Sequence, residues 1–105
     1  MANRHRGEIE AELGGRTRTL VLTLGALAEL EAAFAATDLV ALAQRFGSGH
    51  LSARDLVRII AAGLRGAGEA VRDDEVAAMT VSGGAAGYAS IAAELLAATF
   101  GEAAA

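Results

Sequence analysis

His50, Ser52 and Asp55 stand close together in FGSGHLSARDL, residues 46–56, and they are the three residue types of a hydrolase triad. Such a triad needs its members delivered by separate elements around a reacting atom, often with the nucleophile on a sharp strand-to-helix turn. Here all three crowd one short turn and no strand leads into it. The same letters have a structural explanation. Ser52 and Asp55 are three apart, with Leu51 before and Leu56 after, which is the pattern of a capping box with a hydrophobic staple, Asp replacing the usual Glu or Gln. A calcium loop is the other chemistry to weigh. Setting Gly49 as the turn glycine and Asp55 as the closing acid puts Gln44, Phe46 and Ser48 at the first three ligand positions, and Phe46 has no oxygen to give. The stretch reads as a helix-helix corner.

Other chemistry fails on composition. Two histidines, His5 and His50, have no metal-ligand spacing, and the chain has no cysteine, so neither a zinc site nor a disulfide framework is expected. Gly83-Gly84-Ala85-Ala86-Gly87 opens a helix but lacks the lysine and the preceding strand of a phosphate loop; close backbone packing is the plainer reading. No cofactor, no metal and no catalytic residue are expected, and the chain reads as a non-enzyme.

All nine cations are arginine, and thirteen carboxylates leave a formal charge of -4. A dedicated nucleic-acid binder would be basic. Arg54, Arg58 and Arg65 nevertheless share one side of a helix, and no Asn, Gln or Lys joins them to read base edges. They are expected to be a solvated face or a contact for an acidic protein surface. The start, MANRHRGEIEAEL, has no apolar run after its basic residues, so no secretory signal is expected. Residues 84–100 are the one membrane-like stretch, just short of a spanning length and with Glu94 inside it, so no membrane partner is expected either.

These residues must be positioned by one domain spanning 1–105, a size that buries roughly 65% of the unfolded surface. Hydrophobic residues make up 53% of the chain with only four aromatic rings, because 27 residues are alanine. Glu8 to Leu13 alternate acid and apolar, Gly14-Gly15 supplies a turn, and RTRTLVLT is β-prone, together a β-hairpin over about 8–22. A two-residue loop sets Ile9 opposite Leu20; a three-residue loop sets it opposite Val21 and Glu12 opposite Arg18. Glu8, Glu10 and Glu12 form the expected outer, charged face. Four to five short helices follow, at about 24–35, 38–46, 53–65, 74–80 and 85–100. Thr23 and Ser52 are expected N-caps, Thr37 and Asp38 restart the chain as the second helix, and Gly47 is the expected terminator of that helix. The last helix carries Tyr88, Ile91, Leu95 and Thr99 on one stripe, with Leu96 and Phe100 beside it. The fold class is α+β, mainly α.

The runs RGEIEAELGGRTRTLVLTLGALAELEAAF, LVALAQRFGSGHLSARDLVRIIAAGLRGAG and GGAAGYASIAAELLAATFG resemble a small family encoded among the tail genes of alphaproteobacterial gene transfer agents and related long-tailed phages. The likeness covers roughly residues 3 to 101, and its most specific parts are TLGALAELE at 23–31 and the LSARDL-to-GLRGAG helix at 51–68. The resemblance implies a tail-morphogenesis protein: a tail assembly chaperone that coats the tape measure protein while the tube polymerises, or a subunit of the tube itself. A tube subunit lines its channel with long paired strands that close with its neighbours, and few residues here read as strand. The chaperone is therefore expected, working in the bacterial cytoplasm, with a virion location if the tube reading holds. An unrelated helical interaction module is the remaining alternative. Expected partners are the tape measure protein, other tail proteins and, as an option, further copies of itself. Tyr88, Ile91 and Leu95 on the last helix and Arg54, Arg58 and Arg65 are the expected contact residues.

Overall fold

The computed structural model describes residues 2–101. The alanine-rich tail expected to fray, 102–105, lies outside the described residues. After a 3-10 turn at Arg4–Arg6 come strands β1 (Glu8–Leu13) and β2 (Arg16–Val21), then helices α1 (Leu24–Ala33), α2 (Leu39–Gly47), α3 (Ala53–Gly66), α4 (Asp73–Ala77) and α5 (Gly84–Phe100). A hairpin followed by five helices is the α+β, mainly α arrangement that the periodicities imply.

The hairpin takes the two-residue loop. Gly14 (φ 64°) and Gly15 (φ 86°) both lie in the left-handed region, as a type I′ turn requires, and Ile9 pairs with Leu20, Leu13 with Arg16. In this register Glu12 faces Thr17 and Arg18 faces Ala11, so the Glu12–Arg18 pair of the longer loop does not form. Ile9, Leu13 and Leu20 are fully buried on the inner face, while Glu10 and Glu12 are exposed on the outer one. Arg18 also points inward. It donates to the Leu13 carbonyl at 2.8 Å and pairs with Glu69.

Glu69 reaches Arg18 because of how α3 ends. Gly68 (φ 99°) sits just past the helix, its N–H donating to Arg65 and that of Glu69 to Leu64, both at 3.0 Å, which is the Schellman pattern. α1 ends the same way with a costlier residue. Ala35 (φ 53°) is the left-handed position there, which stops α1 at Ala33 and carries a penalty of about 1 kcal/mol relative to glycine. α2 differs from expectation: Gly47 lies within the helix, and the positive φ falls on Gly49 (76°). α4 also stops early, at Ala77, where the chain turns so that the Met79 and Val76 carbonyls meet Tyr88.

α3 is the central element, packed on β2, α1, α4 and α5. Ile59, Ile60 and Leu64 of α3 are fully buried, with Leu30, Leu42, Val76 and Leu95 from the other helices; each such side chain contributes about 1.5–3 kcal/mol by leaving water. Two glycines set the close approach. A methyl group at Gly63 would strike the side chains of Leu95 and Leu20, and one at Gly66 would land on the Val21 carbonyl oxygen.

Candidate functional site

The corner at 46–56 is a corner. The Ser52 hydroxyl accepts from the Asp55 N–H at 3.1 Å, and the Asp55 carboxylate accepts from the Ser52 N–H at 3.0 Å and from Arg45 at 3.2 Å. Burial pushes the Asp55 carboxyl up, but the hydrogen bonds from Ser52 and Arg45 and the charge of Arg45 outweigh it and hold it below its ordinary value. His50 is exposed, and its carbonyl accepts from Arg45 at 2.9 Å. Ser52 and Asp55 thus serve each other and the backbone. Gln44 is exposed and Phe46 is in the core, and among the described residues no three His, Cys, Asp or Glu side chains gather around a metal-sized space.

The three arginines of α3 part company. Arg65 is engaged by Glu29 and, at 3.1 Å, by Asp73, and it donates to the Val71 carbonyl at 2.9 Å. Burial lowers its proton affinity, but these partners more than restore it. Arg65 therefore ties α3 to α1 and to the start of α4. Arg54 and Arg58, one turn apart, make no ion pair or side-chain hydrogen bond among the described residues. Their charge is available to something else.

The expected contact residues of α5 lie mostly inward. Leu95 is fully buried against Gly63 and Leu20, Ile91 is half-buried, and the Tyr88 hydroxyl lies 2.8 Å from the Val76 carbonyl and 2.5 Å from that of Met79. Burial raises the Tyr88 hydroxyl above its ordinary value. Leu95 is thus corrected from surface to core: the stripe was real, but it is the side that α3 and the ribbon cover. Of that stripe, Tyr88 also borders an open depression.

The opposite side of α5 forms one wall of two shallow depressions. One, of about 450 Å³, is bounded by the end of α2 (Phe46, Gly47), by Leu51 and Leu56, and by Ala93, Leu96 and Phe100 of α5. The other, of about 600 Å³, lies between α3, α4 and the start of α5, with Arg54, Arg58, Val57, Asp73, Ala85 and Tyr88 around it. They share Leu56 and follow one another along α5, a trough of about 24 Å at 1.5 Å per residue. Its floor is apolar. Phe46 stacks obliquely on Phe100 with centroids 6.5 Å apart and meets Phe34 edge-on at 5.2 Å, and Phe100 remains 38% exposed, enough to offer a ring face to a partner. Ala85, Ala89 and Ala93 are exposed and short, so a second helix laid here could approach to the close end of the usual 8–10 Å spacing. Only Leu96 and Phe100, read as flanking the stripe, hinted at this face in the sequence.

The ribbon offers a second surface. Among the described residues, the backbone groups of Glu10 and Glu12 bond to no main-chain group outside the ribbon, so the middle of the outer edge of β1 is open. Three acids on that strand repel a like copy of it. No described helix is long and apolar enough to cross a membrane.

Residues 6–102 match the family described as phage tail tube protein, GTA-gp10. No curated protein and no solved structure matches the chain. The chain belongs to that family, and with it to the structural or morphogenetic proteins of phage and gene transfer agent tails.

Proposed function

We propose that this family member is a non-enzymatic tail assembly chaperone that binds the tape measure protein in several copies while the tail tube polymerises. The observation that carries the reading is the strand content: the described residues hold one ribbon of two six-residue strands, and all other long elements are helices. A tube wall needs long strands that pair across every subunit boundary, whereas a chaperone needs a modest, repeatable surface for a helical client. The apolar trough along α5 suits that second task. It asks for an amphipathic helix, which a long coiled client supplies at many points along its length. The protein then acts in the cytoplasm of the host cell, before the particle is complete.

A second reading, a subunit of the tube wall, is favoured by the family's own description and by the open edge of β1. The two readings part in one experiment. Co-expression with the tape measure protein, followed by mass measurement of the purified complex, is expected to give a soluble assembly with several copies per client. Spontaneous hollow tubes of the isolated protein under the electron microscope, with no complex formed, would establish the tube reading instead.

A further inference from the structure

Resting on the chaperone reading, which supplies a helical client, the geometry points to a direction of docking. The trough is polarised. At one end lie Phe46, Leu96 and Phe100 with the C-terminus of α2 at Gly47 and Gly49; at the other lie Arg54 and Arg58 with the N-terminus of α5 at Ala85. The two carboxylates at the cationic end, Asp73 and Asp74, are taken by Arg65 and Arg72 at 3.1 and 3.0 Å. Arg65 is shared with Glu29, so this end carries both signs, but Arg54 and Arg58 are the two lining guanidiniums that touch no carboxylate among the described residues, and they lie beside the start of the seventeen-residue α5. We infer that the occupant is an amphipathic helix running antiparallel to α5, its apolar stripe on the floor and carboxylates in its last turn against Arg54 and Arg58. The helix dipoles agree with this direction: the client's negative C-terminus meets the start of α5, and its positive N-terminus meets the end of α2. Parallel docking would oppose both.

Spacing agrees as well. Arg54 and Arg58 are four apart on α3, about 6 Å between their Cβ atoms, the same interval as carboxylates at i and i+4 on a client helix. Such exposed pairs are individually weak, so they select direction, and the apolar floor supplies most of the affinity. The small side chains of α5 let the client backbone come near enough for both.

The test uses synthetic peptides held helical by a side-chain staple, so that each peptide's own dipole does not change its helicity, with one leucine stripe and two glutamates, placed in the last turn or in the first, and a third with two lysines in the last turn. Fluorescence anisotropy against the whole protein at low salt is expected to favour the last-turn glutamate peptide over the first-turn one by about five-fold, and salt should shrink the difference. In the variant carrying R54E and R58E the preference passes to the lysine peptide. With R54Q and R58Q it disappears while the fold, followed by circular dichroism, is retained. Equal binding of all three peptides, binding of none, or an unchanged preference in the charge-reversed variant would each overturn the inference. A clear preference together with no multi-copy complex on the tape measure protein would sink the chaperone reading and leave the trough standing.

Discussion

Helices α3 and α5 are both rich in small and apolar residues, yet they divide inside from outside by different means. α3 marks its outside with charge: Arg54, Arg58 and Arg65 lie on one side, and every residue from Ile59 to Leu64 is buried. α5 has a single charged residue, Glu94, and buries only Ala92 and Leu95 completely. Its outside is marked by size, with Ala85, Ala86, Ala89 and Ala93 left in solvent. The lesson is that α3 is finished within this chain, whereas the outer face of α5 is the kind that another helix completes.

The sharpest way to break that contrast is on neighbouring leucines of α5. Leu95 fills the space beside Gly63 and is fully buried, while Leu96 borders the trough and is half-buried. Leu95→Ala is expected to destabilise the fold by about 3 kcal/mol, as core leucine deletions do, and Leu96→Ala by less than about 1 kcal/mol, since a truncated side chain that is partly in water leaves no closed cavity. Urea unfolding of the two variants reads the difference. Equal losses would mean that α5 has no distinct outer face.

Next in size is the seam between α3 and the ribbon. Gly66 is where the helix passes over the Val21 carbonyl, so a methyl group there must push helix and strand apart. Gly66→Ala is expected to lower stability by about 2 kcal/mol through overpacking, although alanine is the better helix former. The same unfolding experiment checks it. A neutral result would show that the seam gives way easily and that α3 is less fixed than α5.

Why α3 was legible and α5 was not follows from these marks. Ser52, Asp55 and the flanking Leu51 and Leu56 announced the start of α3, and the structure has the capping box there; its end, expected at about 65, falls one residue later, at Gly66. Gly14-Gly15 announced the hairpin, although only the folded chain decides between its two registers. On α5 the periodicity located a stripe through Tyr88, Ile91 and Leu95, but a helix whose one charged residue is Glu94 carries little that says which stripe faces in. That choice is made by Gly63 and Leu20, far away in sequence. The same limit applies to Arg65, whose partners Glu29 and Asp73 come from other elements, and a helical wheel could not separate it from Arg54 and Arg58.

The start of each helix gives a smaller contrast, in pH. α3 is capped with the help of a carboxylate whose folded proton affinity is lowered, whereas α5 has Gly83 at its N-cap and no side-chain cap. For a group depressed on folding, the stabilisation is complete above its unfolded value, about 3.9, and is lost as the pH falls through the lower folded value. Asp55→Asn should therefore reduce stability at neutral pH by about 1 kcal/mol, the usual size of a lost cap, and flatten the loss expected of the parent below about pH 4. A pH series of thermal unfolding curves compares the two. Parallel curves would remove Asp55 from the account of how α3 is held.

The smallest expected effect on stability is also the one aimed most directly at the outer face. Ala93 is exposed on α5 and borders the trough, so Ala93→Glu should change folding stability by no more than about 0.5 kcal/mol. It would nonetheless set a charge on the apolar floor, where a client helix must either bury it without a partner or stay away. Copies of the protein per tape measure chain, measured by mass, should fall steeply in this variant, and Ala28→Glu, at an exposed position of α1 outside the trough, should leave them unchanged. If both substitutions were equally harmless, the client would be held elsewhere, and the open edge of β1 would become the surface to mutate.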